Sequence, residues 1–154
     1  MTNRGYTYQA ESGVSVARAR GQELPMSPKK TYEVLNAIRG LDLEKARQVL
    51  KDAIALKRAI PFRRYNQETA HKRGIGPGRY PKKVCEALIG VLANAEANAE
   101  FQGLDTDRLF IKVAASSRGR IQKANMPRAQ GRATAWNEQT THVEIVLGER
   151  KEAS

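Results

Sequence analysis

The segment SSRGRIQKANMPRAQGRATAW, residues 116–136, decides how this chain is expected to fold. It carries five basic residues and no acidic one, and most of its other side chains are small or polar. The segment therefore has too little apolar surface to form a hydrophobic core of its own. We expect it to lie outside the body of the protein.

Alternating apolar residues flank this segment on both sides. Apolar side chains recur at every second position before it and again after it, which is the period of a β-strand. These residues are Leu109, Ile111, Val113 and Ala115 before the segment, and Val143, Ile145 and Leu147 after it. Hairpin connections are commonly only about 2–5 residues long, so a structureless link of about 20 residues is unusual. We predict that both strands continue outward as one long ribbon, turning near Ala124–Ala129.

The predicted ribbon needs a partner. At roughly 3.3 Å per residue, its outgoing arm from Arg108 to Ala124 reaches on the order of 50 Å. A two-stranded ribbon without an apolar face is only marginally stable in water. We therefore expect residues 116–134 to be mobile in the free protein and to be ordered by a polyanionic partner.

The rest of the chain predicts an α+β body, in which three helices pack on a small antiparallel sheet from which the long β-hairpin protrudes. Apolar residues at helical spacing predict one helix from Pro28 to Gly40, a second from Leu43 to Ala59, and a third after Pro81. Alternation over residues 14–20 predicts a short strand with one small-residue face. We expect the third helix to be the central helix of the core, with Cys85 buried at the edge of its apolar stripe.

Charge is concentrated in two blocks. The chain has 27 Lys and Arg against 16 Asp and Glu, which gives a net charge of +11. Residues 57–83 contain nine bases and one acid, residues 84–107 five acids and no base, and residues 108–137 seven bases and no acid. This segregation indicates a surface that binds a polyanion, and nucleic acid is the first candidate.

An anionic membrane surface is the alternative partner for a basic chain. However, no apolar run approaches the roughly 20 residues of a membrane-spanning helix. The N-terminal sequence MTNRGYTYQAE lacks the apolar region of a signal peptide. A single cysteine excludes an intramolecular disulfide and suits a reducing compartment. We expect a cytoplasmic protein without membrane contact.

RNA is favoured over duplex DNA. The small residues of the ribbon keep it thin enough for a narrow crevice in folded RNA, and the planar fork of arginine bridges phosphates and stacks on unpaired bases. No helix-turn-helix or zinc-finger spacing is present. Trp136 and Tyr80 either stack on bases or pack against the body. The residues expected to contact RNA are Arg18, Arg20, Lys29, Lys30, Arg63, Arg64, His71, Lys72, Arg73, Arg79, Lys82, Lys83, Lys112, Arg118, Arg120, Lys123, Arg128 and Arg132.

Nucleotide binding, metal binding and catalysis have weaker support in the sequence. The glycines of GIGPG, residues 74–78, match no phosphate-binding motif, so a basic loop that contacts RNA is the favoured interpretation. His71, His142 and Cys85 lack the spacing of a zinc site, and we predict no catalytic residue, metal or cofactor. An RNA-processing enzyme needs convergent carboxylates or a histidine pair, which the basic blocks do not offer. A regulatory or chaperone module that binds RNA transiently stays open.

Six motifs occur in an order that resembles a known family. They are SPKKTYEVLNAIRG from Ser27, PFRRYN from Pro61, GRYPKK from Gly78, NAEANAEFQGLD from Asn94, PRAQGRA from Pro127 and HVEIVL from His142. Together they resemble large-subunit ribosomal protein number twenty-two, over residues from about Val14 to Leu147. The segment HKRGIGPGRY, which the shorter bacterial members lack, indicates the archaeal and eukaryotic type.

This resemblance implies a structural, non-enzymatic component of the large ribosomal subunit. Members of the family bind 23S-type ribosomal RNA, support subunit assembly, and use the hairpin to help line the nascent-polypeptide exit tunnel. The implied partners are large-subunit ribosomal RNA, neighbouring ribosomal proteins including number four near the tunnel constriction, and the nascent chain; no homo-oligomer is expected. The implied tunnel-lining tip consists of Lys123, Ala124, Asn125, Met126, Pro127, Arg128, Ala129 and Gln130.

The expected domain organisation is simple. At 154 residues the chain has the length of one ordinary domain. We expect a flexible N-terminal extension over residues 1–13 and a single globular RNA-binding domain over residues 14–154. This domain includes the hairpin at about residues 109–147, with its tip near residues 123–130, and a short tail at residues 149–154.

Overall fold

Three helices cover one face of a three-stranded antiparallel sheet in the computed structural model, which describes residues 5–10 and 14–150. In this main sheet the strand Glu138–Glu149 lies in the centre, between Val16–Leu24 and Leu109–Gln122. The arrangement confirms the predicted α+β class. The helices and strands of the described residues are β1 (Val16–Leu24), α1 (Pro28–Ile38), α2 (Leu43–Ile54), β2 (Ile60–Pro61), β3 (His71–Lys72), β4 (Gly76–Arg79), α3 (Lys82–Phe101), β5 (Leu109–Gln122), β6 (Asn125–Pro127), β7 (Ala133–Ala135) and β8 (Glu138–Glu149).

Helix α3 forms the centre of the core, as its apolar stripe predicts. Leu88, Leu92 and Ala95 are completely buried, and the helix packs against α2 on one side and β1 on the other. Val143 and Ile145 of β8 close the core from the sheet. Because residues from all layers meet here, burial of apolar surface along α3 holds the helices to the sheet.

The second helix ends earlier than predicted. We expected it to reach Ala59, but α2 stops at Ile54. Leu56 then adopts the left-handed conformation with φ of +61°, and the backbone N–H of Lys57 donates to the carbonyl of Asp52. This is a Schellman termination, which usually uses glycine at the left-handed position and is therefore hard to anticipate where leucine stands there.

Replacing Leu56 by glycine is expected to stabilise the protein. The side chain is 52% exposed, so its removal sacrifices little apolar burial. Glycine adopts the left-handed conformation without the steric cost of a Cβ atom, and we expect the free energy of unfolding to rise by about 1 kcal/mol. Urea denaturation measures this change. The control Leu56→Ala keeps the Cβ atom and should not stabilise; an equal gain in both variants would contradict the explanation.

A second, smaller sheet was not predicted. Its strands lie in the order β2–β4–β3, and β3 and β4 form a hairpin that turns at Gly74 and Gly76, with φ of +82° and +74°. The interpretation of residues 74–78 as a loop is thus wrong in part, because Gly76–Arg79 is a strand. Strands of two to four residues are too short to show an alternating pattern, which explains the omission.

A β-bulge changes which residues of β5 face the core. The sequence predicts that Leu109, Ile111, Val113 and Ala115 share one face. The register shifts between Ile111 and Val113, and Ala114 lies in the core in place of its two neighbours. The extra residue of a bulge interrupts the period of two, so the faces exchange beyond it.

Strands β5 and β8 continue beyond the body as the predicted ribbon. Their pairing runs from Leu109 opposite Glu149 to Gln122 opposite Glu138. Strands β6 and β7 then extend the ribbon towards its turn. We use the name "ribbon" for residues 117–138, in which almost every side chain is exposed.

The ribbon turns further along the chain than predicted. We expected the turn near Ala124–Ala129, but β6 occupies Asn125–Pro127 and the chain reverses over residues 128–132. Gln130 and Gly131 adopt left-handed conformations with φ of +59° and +70°. The backbone N–H of Arg128 donates to the carbonyl of Arg132 at 2.7 Å and closes the turn. Glycine favours this conformation, so Gly131 sets the position of the reversal.

Residues 5–10 lie against the face of the main sheet that points away from the helices. Glu144 of β8 is 8% exposed and accepts hydrogen bonds from the backbone N–H groups of Thr7 and Tyr8, at 3.0 and 3.1 Å. These bonds compensate the cost of burying the carboxylate. They also attach part of the predicted N-terminal extension to the sheet.

The predicted division of the chain stays a prediction. It assigns residues 1–13 to a flexible extension and residues 14–154 to one globular domain. Residues 1–4 and 11–13 of the extension and residues 151–154 of the tail lie outside the described residues.

Candidate nucleic-acid interface

The ribbon carries five of the predicted RNA-contacting residues. They are Arg118, Arg120, Lys123, Arg128 and Arg132. Counting roughly 3.3 Å per residue, the arm from Arg118 to Arg128 spans about 33 Å. Arg120 approaches Glu23 at 3.9 Å, but both side chains are well exposed and such a pair contributes little. The ribbon therefore presents almost all of its positive charge to the surroundings.

Close packing of the two arms keeps the ribbon thin where it leaves the body. Gly119 lies directly against Thr140, and a Cβ atom at residue 119 would clash with the Thr140 side chain. The Thr140 hydroxyl donates to the carbonyl of Arg120 at 3.0 Å, across the ribbon. A side chain at position 119 would therefore force the arms apart.

Trp136 lies on the ribbon and is 55% exposed. Its backbone N–H donates to the carbonyl of Ala124, so the residue is held within the paired arms. The choice between the two alternatives for Trp136, stacking on a base and packing against the body, stays a prediction. The exposed indole is available for stacking on a base.

A cleft of about 610 Å³ opens at the foot of the ribbon. It lies between the first turn of α1, the first turn of α3 and the start of β8. Four predicted contact residues line it, two from each helix: Lys29, Lys30, Lys82 and Lys83. The helix N-termini add partial positive charge to that of the lysines, so the cleft is electrostatically suited to an anion. Among the described lining residues, Glu138 is the only acid.

Contacts between cations and aromatic rings connect the other basic residues to this cleft. The Nζ atom of Lys29 lies 5.9 Å from the ring of Tyr65, which follows the predicted contacts Arg63 and Arg64. The Nζ atom of Lys72 in β3 lies 5.6 Å from the ring of Tyr80, which lines the cleft. The fold therefore brings basic residues from distant parts of the sequence to one end of the body.

The guanidinium of Arg64 lies against the rings of two tyrosines. Its guanidinium lies 5.2 Å from the ring centre of Tyr32 and 5.5 Å from that of Tyr65, and the two rings meet edge to face at 5.7 Å. A side-chain hydrogen bond with Tyr32 raises the pKa of Arg64 above its usual range, so the guanidinium stays charged. We call Tyr32, Arg64 and Tyr65 the arginine–tyrosine cluster.

Sequence reasoning identified Arg63 and Arg64 but missed Tyr32, Tyr65 and Glu33. The carboxylate of Glu33 accepts hydrogen bonds from the backbone N–H groups of residues 63–65. The motif PFRRYN does contain the signal for Tyr65, because an aromatic residue directly follows two arginines. No sequence pattern connects Glu33 to a loop thirty residues later.

The small sheet holds the remaining contacts predicted near the GIGPG segment. His71 and Arg73 are exposed in the β3–β4 hairpin. Arg79 already has protein partners, because its Nε atom donates to the Thr69 hydroxyl at 3.1 Å and its guanidinium lies 5.8 Å from the Phe62 ring. Arg79 therefore stabilises the small sheet, whereas the hairpin residues face outward.

Three predicted contacts lie beside the N-terminal segment, away from the cleft. The guanidinium of Arg18 lies 5.6 Å from the ring centre of Tyr6, and the Nζ atom of Lys112 lies 5.4 Å from that of Tyr8. The Arg20 side chain donates to the backbone carbonyl of residue 5. These cations contact residues 5–10 on the outer face of the main sheet. Their role in RNA binding stays a prediction.

His142 has a partner within the protein. His142 is 7% exposed, and its Nδ1 atom accepts the backbone N–H of Glu23 at 3.0 Å, which is a structural role. Within residues 5–10 and 14–150, no group of three or more His, Cys, Asp or Glu side chains is arranged to hold a metal ion. Over the same residues, no helix has the length and hydropathy required to cross a membrane.

Cys85 is expected to be unreactive in the folded protein. Burial in α3, and to a smaller extent the charge of Glu86, raises the pKa of its thiol to about 12. The reactive thiolate is therefore almost absent near neutral pH. We expect iodoacetamide to alkylate Cys85 only after unfolding in urea, as measured by mass spectrometry. Equal alkylation rates with and without urea would contradict this prediction.

These features define a small basic α+β protein with a long cationic β-ribbon. Residues 19–148 match the family model described as ribosomal protein L22p/L17e, and the chain belongs to this family. A large ribosomal subunit protein uL22 from Methanothrix thermoacetophila is 48% identical over 86% of this chain and 90% of its own length. The uL22 proteins of Archaeoglobus fulgidus and Methanoculleus marisnigri are 44% and 45% identical, covering 95% and 97% of this chain and 96% and 99% of their own lengths.

Family membership confirms several of the expectations. The predicted resemblance, including its archaeal type, is correct. The family consists of structural, non-enzymatic ribosomal proteins, so the interpretation as an RNA-processing enzyme is excluded. As a protein of this family the chain has a cytoplasmic location.

Proposed function

We propose that this protein binds large-subunit ribosomal RNA, supports assembly of the subunit, and extends its ribbon through folded RNA to help line the nascent-polypeptide exit tunnel. The structure and charge of the ribbon are the main support for this proposal. The ribbon exposes three cations on its outgoing arm and two at its turn, and residues 108–137 contain no acid. A polyanion that surrounds both arms is the partner that fits such a surface.

The body offers a second group of contacts. The lysine-lined cleft and the arginine–tyrosine cluster lie on one side of the ribbon's foot, where Lys29 connects them. An RNA that encloses the ribbon therefore meets further positive charge at the body. This continuity supports assigning Lys29, Lys30, Lys82 and Lys83 to the same interface as the ribbon.

The tip is proposed to face the tunnel. It contains the predicted residues 123–130, together with Gly131 at the observed turn. The further partners are proposed to be the nascent chain and neighbouring ribosomal proteins, including number four near the constriction. The expectation that residues 116–134 are mobile before RNA binds also stays a prediction, which limited proteolysis of the free protein checks.

Co-sedimentation tests the proposal. The protein, carrying an affinity tag, is produced in an archaeal host, and ribosomal subunits are separated after a wash in high salt. We expect stable recovery with the large subunit. Recovery only in the soluble fraction would favour the alternative of a module that binds RNA transiently, and would overturn the structural role.

A further inference from the structure

A buried carboxylate holds the loop that carries two of the proposed RNA contacts. Glu33 in α1 is 1% exposed. Its two oxygens accept the backbone N–H groups of Arg63, Arg64 and Tyr65 at 3.1, 2.8 and 2.7 Å. A buried carboxylate requires such partners. Because the three donors belong to consecutive residues, the carboxylate fixes the backbone of the loop in one conformation.

The side chains of this loop are held in place as well. The guanidinium of Arg64 makes cation–π contacts with Tyr32 and Tyr65, and Lys29 approaches Tyr65 from the cleft. Arg63 and Arg64 are exposed, so their guanidinium groups are accessible to a partner. The loop therefore combines a fixed backbone, a positioned guanidinium and an aromatic ring within one small surface.

We propose that Glu33 is a positioning residue for RNA recognition. It holds the loop so that Arg63, Arg64 and Tyr65 form a preassembled site for the phosphate and base of an unpaired nucleotide. The inference rests on the proposed function and deepens it, because it assigns a chemical class of ligand to one surface and names the residue that orders it.

Two physical arguments select this ligand. Guanidinium and aromatic planes stack on bases that are not paired, and arginine forks bridge phosphate oxygens. A loop that is already ordered also avoids the entropy cost of becoming ordered when the RNA binds. Loss of the Glu33 contacts therefore weakens binding even though no contact with RNA is removed.

The substitution Glu33→Gln separates positioning from simple electrostatics. It raises the net charge of the protein by one, so electrostatics alone predicts tighter RNA binding. Positioning predicts the opposite: about tenfold weaker binding to a transcript of an archaeal 23S-type ribosomal RNA. Amide hydrogen exchange should accelerate at residues 63–65 and stay unchanged in α3, whereas a general loss of stability accelerates both.

A second pair of variants avoids any change in the core. Arg64→Lys keeps the charge but removes the planar guanidinium that lies against the two tyrosine rings. Arg58→Lys is the matched control, because Arg58 is exposed and lies outside the proposed contacts. We expect about fivefold weaker binding for Arg64→Lys and no change for the control.

Each result of these measurements either supports the proposal or overturns it. Folded Glu33→Gln protein that binds as tightly as the unsubstituted protein overturns it, as does equal binding by the two lysine variants. If Glu33→Gln does not fold, Glu33→Asp, which keeps the charge but shortens the reach to the N–H groups of residues 63–65, is measured in its place with the same expectation. Failure of the unsubstituted protein to bind the transcript would overturn the proposed function as well, and is a separate result.

Discussion

A shortened protein in which Asn-Gly replaces residues 119–140 is expected to bind ribosomal RNA on the order of 100-fold more weakly near physiological salt. The replacement removes Arg120, Lys123, Arg128 and Arg132. Each phosphate contact contributes roughly 0.7 to the slope of log K against log salt concentration. Loss of four contacts should therefore reduce the magnitude of this slope by roughly 2.8. Titrations of the transcript at several salt concentrations measure both quantities.

Matched controls separate the ribbon from net charge. A variant with alanine at four exposed cations of the body, Lys45, Lys51, Lys57 and Arg58, removes at least as much positive charge. It should retain most of its affinity. The double variant Arg128→Ala/Arg132→Ala should lower the slope by roughly 1.4, half the effect of the deletion. Equal losses in the deletion and the body variant would show that overall charge, and not the ribbon, determines binding.

The shortened protein should keep a folded body. The Asn-Gly turn joins Arg118 to Thr141, which are paired across the ribbon's foot. Residues 119–140 contribute nothing to the main hydrophobic cluster among the described residues. Cooperative urea unfolding of the shortened chain is therefore expected, and its absence would mean that the body depends on the ribbon.

Leu88→Ala is expected to lower the free energy of unfolding by about 3 kcal/mol. Leu88 is completely buried in α3, where helices and sheet meet. Truncation removes its transfer free energy and leaves a cavity that the surrounding layers fill only in part. Urea denaturation monitored by circular dichroism gives the change.

The control for this prediction lies on the ribbon. Ile121 is 51% exposed, and Ile121→Ala removes a similar amount of apolar side chain away from the core. Its effect on the unfolding of the body should stay within ~0.5 kcal/mol. A similar loss in both variants would indicate that the ribbon packs on the body in solution.

Long periodic elements could be predicted from the sequence, whereas features that depend on a single residue's conformation could not. The apolar stripe of α3 and the alternation in β8 each repeat over many residues, and the hydrophobic core contains the stripe together with Val143, Ile145 and Leu147. The early end of α2 depends on one left-handed leucine, Leu56, and the exchanged faces of β5 on one bulge. Such local conformations leave no periodic signal.

The residues of the candidate site were likewise predictable only in part. Uninterrupted positive charge made the ribbon predictable, but Arg128 and Arg132, which were expected on the returning arm, lie at the two ends of the turn, and the other three cations lie on the outgoing arm. The arginine–tyrosine cluster depends on contacts between α1 and a loop about 30 residues further on, through Tyr32 and Glu33. Those contacts exist only in three dimensions, so charge and spacing could reveal the arginines but not what orders them.

The length of α3 separates opposite charges along the molecule. Lys82 and Lys83 stand at its first turn, beside the ribbon, and Glu100 stands in its last turn, one turn beyond Glu96, whose charge is paired with Arg47. At 1.5 Å per residue, Lys83 and Glu100 are about 25 Å apart along the axis. The protein therefore has a permanent dipole moment whose positive end carries the ribbon. The electric field of a polyanion exerts a torque on this dipole, which turns the ribbon towards the polyanion before any contact forms. Added salt screens the field and therefore slows the association.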